Sequence, residues 1–336
     1  MVSQRLYDMR GTGQNDDAAM TRVAILDDYQ RVALSLADWK SLGTDVSVQA
    51  FHERVSGDDD LAKHLSDFQV IVAMRERTRF PRSLLERLPK LKLLVTTGML
   101  NVAIDVKAAA ELGIVVSGTA LLTPPTGELT WGLIIALARH IPQEAQHMRA
   151  GGWQTTIGVG LNGKVLGILG LGKLGSEVAR VGRAFQMEVI AWSHNLTTEH
   201  AGLLGATRVE KDELFQRADF VSIHLVLSKR TRGLIAAREL VLMKPEAYLI
   251  NTSRGPIVEE RALIDALTNQ RIAGAALDVY DEEPLPADHP FRKLDNVVLT
   301  PHLGYVTIEN YRLCYGQAVE DILAFLAGQP IRVVSA

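Results

Sequence analysis

The chain has 336 residues, of which 47% are hydrophobic and 22% are charged, and its formal net charge is −3 at pH 7. This balance predicts a globular protein of two ordinary domains, without the broad basic field that nucleic-acid binding requires. No apolar run approaches the roughly 18 residues of a membrane span, and the single cysteine, Cys314, excludes an internal disulfide and a metal site of several cysteines. We therefore expect a cytoplasmic protein with no metal and with no nucleic-acid or membrane partner.

The first 19 residues differ from the rest of the chain. Residues 1–19 are polar, show no hydrophobic periodicity and contain no apolar core of a signal peptide. Met20 then leads almost directly into the apolar run 23–26. We expect a natural start at Met20, preceded by a flexible N-terminal extension over 1–19.

From residue 22 onward, apolar runs of strand length alternate with helical stretches. The predicted strands of this first region are 22–27, 46–51, 69–74, 91–96 and 114–116, and the helices lie near 31–38, 57–66, 81–88 and 104–112. An alternation of apolar strands and helices predicts a parallel, doubly wound sheet.

The segment 164–175 carries the most informative motif. An apolar strand over 165–169 is followed by Gly170, Gly172 and Gly175 in G-x-G-x-x-G spacing, and then by a helix and a strand over 176–192. This context is the one that a dinucleotide fingerprint needs. The first glycine allows a tight turn, the second lets the backbone approach a pyrophosphate, and the third lets helix and strand pack closely. The helix N-terminus then faces the phosphates.

A second set of strands and helices surrounds this motif. The predicted strands are 219–224, 247–251, 272–278 and 296–299, and the helices lie near 124–140, 210–217, 236–243, 257–268 and 306–327. The expected fold is therefore α/β, with two doubly wound parallel-sheet domains of Rossmann-like or flavodoxin-like type and a cleft between them. The apolar helix 124–140 is expected to be buried, in the core or in a subunit interface.

Polar residues follow several strands of the second sheet, where ligands bind in open α/β folds. Arg254, Glu283 and His302 lie on successive loops after predicted strands. Such a set suits hydride transfer, because histidine supplies a proton at neutral pH, a carboxylate favours its protonated ring, and arginine holds a 2-oxo-acid carboxylate. Each residue alone could instead have a structural role, as a capping residue or a solvated surface residue. Their joint placement beside a dinucleotide motif favours a catalytic role.

These motifs closely resemble those of the D-isomer-specific 2-hydroxyacid dehydrogenase family, which includes phosphoglycerate dehydrogenases and glyoxylate/hydroxypyruvate reductases. The matching stretches are 167–175, Asn-Thr-Ser-Arg-Gly at 251–255, 276–279 with 283–284, and Thr-Pro-His at 300–302. The resemblance covers about residues 21–330. It implies an NAD(P)-dependent oxidoreductase that acts on a CH–OH group and interconverts a D-2-hydroxy acid and its 2-oxo acid.

The resemblance also implies roles for individual residues. Arg254 binds the substrate carboxylate and carbonyl, Glu283 pairs with the histidine, and His302 is the acid/base. The residues expected to contact the cofactor are Gly170, Gly172, Lys173, Leu174, Gly175, Ser193, His194, His224, Thr252 and Asp278. The substrate-binding set adds the loop Thr97, Gly98 and Met99 and the side chain of Arg75.

The domain organisation and assembly follow from the same resemblance. It implies a discontinuous substrate domain, 20–120 plus 305–336, and a contiguous dinucleotide-binding domain, 121–304. It also implies a homodimer formed through the cofactor domain.

Two features leave the cofactor and the substrate open. The second cofactor strand ends in Ser193-His194-Asn195 instead of an acidic residue, which permits NADP, although no arginine stands there in the sequence and NAD is favoured. Arg75, Arg77 and Arg79 could contact a substrate phosphate or distal carboxylate, or could instead pair with Glu76 or be solvated. The alternative functions are a dinucleotide-sensing, corepressor-like binding protein and a formate- or phosphite-type dehydrogenase.

Overall fold

The computed structural model describes residues 20–55 and 57–335, which form two compact units. One unit ends at Ala120 and resumes at Arg312, and the other lies between these two positions. The predicted flexible extension, 1–19, lies outside the described residues. Within the described ranges, no helix is both long and apolar enough to span a membrane.

The first unit is built on five parallel strands in the order β2-β1-β3-β4-β5. The strands are β1 Thr21–Ile25, β2 Val46–Ala50, β3 Val70–Ala73, β4 Leu93–Thr96 and β5 Val115–Gly118. The central strands β3 and β4 are buried along their whole length, as expected for a sheet covered on both faces. This is the flavodoxin-like strand order, and the predicted doubly wound sheet is confirmed.

The helices of the first unit are short. They are α1 Asp58–Leu65, α2 Arg82–Leu85 and α3 Val106–Glu111. The helix predicted near 31–38 is wrong, because the chain forms two short 3₁₀ segments there, Ala33–Ser35 and Trp39–Leu42. The Asp28 carboxylate accepts hydrogen bonds from the backbone N–H groups of Val32 (2.9 Å) and Ala33 (3.2 Å). This local capture of the backbone competes with a regular helix.

The second unit contains seven parallel strands in the order β12-β11-β10-β9-β6-β7-β8. They are β6 Val165–Leu169, β7 Glu188–Trp192, β8 Thr207–Arg208, β9 Phe220–Ile223, β10 Tyr248–Asn251, β11 Gly274–Leu277 and β12 Val297–Leu299. The strand order reverses between β6 and β9, so the carboxyl ends of these two strands form the crevice where α/β sheets bind ligands. The predicted second α/β sheet is confirmed.

The helices of the second unit cover both faces of this sheet. They are α4 Pro124–Ala138, α5 Ile141–Arg149, α6 Lys173–Ala184, α7 Thr198–Leu203, α8 Lys211–Arg217, α9 Ala237–Leu242 and α10 Glu260–Thr268. A last helix, α11 Ile308–Leu326, contains Arg312, so most of its length belongs to the first unit.

The helix predicted over 124–140 is divided in two. His140 adopts a left-handed conformation (φ 50°) between α4 and α5, and Pro142 then occupies the first turn of α5. The apolar side chains of α4, such as Trp131 and Ile134, pack in the core of their own unit against Ile168. The apolar side chains of α4 are therefore buried inside the second unit, as predicted.

Candidate active site

The glycine-rich turn after β6 has the geometry that its spacing predicts. Gly170 has φ 98°, and a Cβ added there would lie 2.7 Å from the His224 carbonyl oxygen. A Cβ on Gly175 would collide with the Gly170 carbonyl oxygen, so these two glycines are required by the packing of the turn. Around Gly172, in contrast, an added Cβ would meet no atom within 4 Å. The open side of the turn is therefore at Gly172.

These residues suit a dinucleotide pyrophosphate. Gly172 is the N-cap of α6, and the exposed Lys173 opens the helix. The first backbone N–H groups of a helix have no intrahelical acceptor and carry the positive end of the helix dipole. The turn thus presents backbone N–H groups that have no intrahelical acceptor beside an open glycine face, which is what a pyrophosphate requires.

A substitution at Gly172 separates ligand binding from folding. We expect Gly172→Ala to retain the wild-type melting temperature and to weaken NADH binding by about tenfold, equivalent to about 1.4 kcal/mol. The added methyl group meets no protein atom, but it occupies the space through which a pyrophosphate approaches the backbone. Nicotinamide fluorescence titration and thermal unfolding measure the two effects.

Gly175→Ala is the matched comparison for this experiment. Its Cβ collides inside the protein, so the melting temperature should fall whether or not NADH is present. A Gly172→Ala variant that binds NADH as tightly as the wild type would contradict the placement of the pyrophosphate at this turn.

Ser193 and His194 follow β7, and the His194 ring packs edge-on against Trp192 with 4.9 Å between centroids. An arginine does reach this region, from the next strand along the chain. Arg208 on β8 donates from Nε to the Leu196 carbonyl oxygen at 3.0 Å, and its guanidinium also pairs with a glutamate side chain. Sequence analysis missed this residue because β8 has only two residues and no strand signal.

His224 and Thr252 lie at the ends of β9 and β10. The Nε2 atom of His224 is 2.8 Å from Ser222 Oγ, and its Nδ1 atom is buried without a hydrogen-bond partner in the described part of the chain. Burial lowers the pKa of His224 to about 3, so its ring is neutral at pH 7. Thr252 Oγ1 is 2.8 Å from Thr130 Oγ1, which joins this strand end to α4.

Asp278 is fully buried at the end of β11, where it organises the turn that carries His302. Its carboxylate accepts hydrogen bonds from Thr300 Oγ1 (2.6 Å), Leu303 N (2.7 Å) and Gly304 N (2.9 Å). Burial raises the pKa of Asp278 above its usual value, although these hydrogen bonds act in the opposite direction. The expected contact of Asp278 with the cofactor stays a prediction, and its observed contacts are with the protein.

His302 and Glu283 form a direct pair. The Nδ1 atom of His302 is 2.6 Å from Glu283 Oε2, and Glu283 Oε1 accepts a hydrogen bond from the Tyr280 backbone at 3.0 Å. Burial alone would raise the pKa of Glu283, but the hydrogen bond and charge of His302 outweigh it, so this pKa lies below its usual value. An ionised carboxylate only accepts hydrogen bonds. The proton of a neutral His302 ring therefore sits on Nδ1, and Nε2 is the atom that can exchange a proton with a ligand.

Arg254 lies on the loop after β10. Its guanidinium donates to the Ser253 carbonyl oxygen at 2.8 Å, and its charge helps to lower the pKa of Glu283. A Cβ on Gly255 would collide with the backbone at Tyr280, so this loop packs closely against the one that leads to Glu283. The structure thus brings the predicted arginine, glutamate and histidine to one edge of the second sheet.

The first unit brings together the predicted loop 97–99 and Arg75. Arg75 donates from its backbone N–H to Thr97 Oγ1 (2.8 Å) and from its guanidinium to the Thr97 carbonyl oxygen (3.1 Å). Gly98 has φ 97°, and its N–H donates to Thr119 Oγ1 at 3.1 Å. Met99 is 44% exposed.

Comparison with known proteins identifies the family. Residues 131–304 match the model of the D-isomer specific 2-hydroxyacid dehydrogenase, NAD binding domain. The chain belongs to this family. The D-isomer specific 2-hydroxyacid dehydrogenases that it resembles include the glyoxylate reductase of Aeropyrum pernix, which is 41% identical over 261 residues, 75% of this chain and 78% of that protein.

Two further relatives match this chain over different shares of their own length. The D-3-phosphoglycerate dehydrogenase of Methanocaldococcus jannaschii is 38% identical over 275 residues, which are 81% of this chain but only 52% of that protein. A solved phosphoglycerate oxidoreductase from Vibrio cholerae is 36% identical with a TM-score of 0.88, over 92% of this chain and 100% of that one. This 2-hydroxyacid dehydrogenase is accordingly an oxidoreductase with an NAD binding domain.

Several supporting residues of this dehydrogenase were missed by sequence analysis. Thr119 directly follows β5, and the rule that ligand-side residues follow strand ends would have found it. Ser222 and Thr130 lie inside a strand and a helix, where no such rule applies. Their hydrogen bonds depend on the tertiary packing alone.

Proposed function

We propose that this dehydrogenase interconverts a D-2-hydroxy acid and its 2-oxo acid by hydride transfer, with His302 as the acid/base residue. The observation that supports this proposal is the 2.6 Å contact between His302 Nδ1 and Glu283 Oε2. A general acid must present a protonated nitrogen in a fixed direction, and a carboxylate on the opposite ring nitrogen provides both the orientation and the stabilisation of the protonated ring.

The proton moves at His302 Nε2. In the reduction direction, Nε2 of the protonated ring donates to the carbonyl oxygen as the hydroxyl forms, and in the oxidation direction neutral Nε2 accepts the hydroxyl proton. Glu283 stays ionised throughout because its pKa is lowered by the histidine. The hydrogen bonds that the Asp278 carboxylate accepts from Leu303 N and Gly304 N hold the turn, so the ring keeps its direction during the transfer.

Arg254 is proposed to bind the substrate carboxylate and to polarise the carbonyl group. A guanidinium is planar and always charged, and it can donate to a carboxylate and to a neighbouring oxygen together. For the first unit, we propose substrate recognition through the backbone of Thr97, Gly98 and Met99 and through Arg75. The paired contacts between Arg75 and Thr97 support a rigid loop of this kind.

The second unit is proposed as the dinucleotide-binding domain. Bound NAD supplies or accepts the hydride. Backbone groups of the turn 170–175 would hold the pyrophosphate, and His224, Thr252 and Asp278 would line the nicotinamide end. We propose NAD over NADP as the preferred form, because Arg208 is already engaged by Leu196 and Glu210.

We also propose a homodimer formed through the second unit. Large apolar side chains on α5 and on the segment after it are exposed: Ile141 is 48%, Met148 59%, Trp153 72% and Ile157 94% exposed. Four large apolar side chains exposed within 17 residues favour an interaction surface there. A second copy of this chain would bury it.

A panel of substrates tests the proposed reaction. Purified protein is assayed with glyoxylate, hydroxypyruvate and bulkier 2-oxo acids, each with NADH and with NADPH, by following nicotinamide absorbance. We expect kcat/KM of at least about 10⁴ M⁻¹s⁻¹ for the best substrate with NADH. In the reverse direction, the D-isomer of the product should be oxidised and the L-isomer should not. Tight NADH binding without any turnover would instead favour a dinucleotide-sensing binding protein.

A further inference from the structure

The loop after β3 contains two arginines separated by a glutamate, Arg75-Glu76-Arg77. Arg75 is hydrogen-bonded to the loop at Thr97, so this segment lies directly beside the backbone that we propose to hold the substrate carboxylate. Asn101 adds to the connection by donating from Nδ2 to the Arg75 carbonyl oxygen at 2.7 Å. A substrate whose carboxylate is held by this loop would therefore lie close to Arg75 and Glu76.

The charge of Arg75 is compensated by its neighbour. Arg75 Nη2 is 3.3 Å from Glu76 Oε1, and both side chains are largely buried, with 13% and 19% of their surface exposed. A guanidinium paired with a carboxylate in a partly buried position offers little net charge to a second anion. A phosphate placed against Arg75 would also meet the like charge of Glu76.

Arg77 is engaged in the same way. Its guanidinium donates to the Asp27 carbonyl oxygen at 2.7 Å and lies over the Tyr29 ring at 4.5 Å from the centroid. The Asp27 carboxylate is buried beside it, where it accepts hydrogen bonds from Thr78 and Tyr29. The Arg77 guanidinium thus lies beside the Asp27 carboxyl group, as the Arg75 guanidinium lies beside that of Glu76.

Arg79 differs from the other two arginines in its exposure. It is exposed between two buried residues, Thr78 and Phe80, and the Phe80 backbone donates to the Ala103 carbonyl oxygen at 2.7 Å. Its charge is therefore screened by solvent, unlike that of the largely buried Arg75.

We infer that Glu76 is a specificity-determining residue that selects 2-oxo acids whose only anionic group is the carboxylate and disfavours substrates that carry a phosphate. The inference rests on the proposed 2-oxo-acid reduction and deepens it. It assigns the substrate to the class of glyoxylate and hydroxypyruvate, with hydrogen or a neutral polar group beside the carbonyl.

The test compares two substrates that differ only by a phosphate. We expect wild-type kcat/KM with NADH to be at least about 100-fold higher for hydroxypyruvate than for 3-phosphohydroxypyruvate. Glu76→Gln, which removes the charge and keeps the shape, should shift this ratio toward the phosphorylated substrate by about tenfold or more. Glu76→Ser, with a shorter neutral side chain, should shift it in the same direction, so the result does not depend on one variant folding well.

Glu86→Gln is the matched control, because Glu86 lies in the same unit but is 52% exposed and pairs with Arg82. Its ratio should equal the wild-type ratio. Two results would overturn the inference and leave the proposed reaction intact. One is wild-type kcat/KM for the phosphorylated substrate that equals or exceeds that for hydroxypyruvate, and the other is an unchanged ratio of the two kcat/KM values in both Glu76 variants. No turnover of any 2-oxo acid would remove the proposed function, and this inference with it.

Discussion

His302→Asn is expected to lower kcat for 2-oxo-acid reduction by about 10³-fold, the usual contribution of a positioned general acid. Asparagine can still occupy the space beside Glu283, but it has no titratable group that could deliver a proton to the carbonyl oxygen. The binding of NADH should be unchanged, because the loss lies in proton transfer and not in the dinucleotide site. Steady-state kinetics and fluorescence titration on the same preparation separate the two quantities.

The second unit provides a matched control for this substitution. His289 also pairs with a glutamate, with its Nε2 atom 3.1 Å from Glu260 Oε1, and its side chain is only 13% exposed. His289→Asn should leave kcat within about twofold of the wild type, because this pair has no proposed role in proton transfer. If both histidine variants keep wild-type turnover, His302 is not the acid/base residue.

Glu283→Gln tests how the pair works. The hydrogen bond and charge of His302 lower the pKa of Glu283 against the effect of burial, so the carboxylate is ionised at neutral pH. Without the charge, the ring loses the anionic partner that orients its Nδ1–H group, so steady-state kcat should fall while NADH binding stays unchanged. The lowered pKa of Glu283 also stabilises the folded protein. This stabilisation is complete above the usual pKa of a glutamate and is lost as the pH falls through the lowered pKa.

The strand and turn framework could be predicted from the sequence because it depends on local signals. Buried parallel strands are continuous apolar runs, and the glycine motif places its residues by backbone sterics alone, as the collisions at Gly170 and Gly175 show. Elements without such signals were missed or misread. The two-residue strand β8 has no periodicity, and the segment after Asp28 forms 3₁₀ turns because a side chain captures the backbone.

The site was predicted less completely than the fold. Residue types at strand ends pointed to Arg254, Glu283 and His302, but only the family resemblance assigned them roles. No spacing rule predicts that Asp278 accepts hydrogen bonds from the backbone of the turn at 303–304, or that Arg208 reaches the segment after β7. These contacts join positions far apart in sequence, so they arise from the packing of complete loops.

Arg254→Gln is expected to lower kcat/KM for the best 2-oxo acid by about 10³-fold, comparable with the loss of a charged donor aimed at a developing oxyanion. The variant loses the charge that would bind the substrate carboxylate and the donors that would polarise the carbonyl. Both KM and kcat should therefore be affected, since one effect acts on the bound substrate and the other acts in the transition state. Initial rates over a wide substrate range measure the two parameters separately.

Arg254→Lys shows which property of the side chain matters. Lysine restores the positive charge but not the planar fork, so it should recover substrate binding, seen in KM, more fully than kcat.

Arg261→Gln is the matched control, because Arg261 is an exposed arginine on α10 of the same unit, and this substitution should leave both parameters unchanged. A lysine variant with wild-type kcat would show that charge alone suffices, and a glutamine variant with wild-type kcat/KM would remove Arg254 from the substrate site. The geometry favours the planar fork, because the Arg254 guanidinium donates to the backbone at Ser253 and is thereby held in a fixed direction that a lysine side chain would not reproduce.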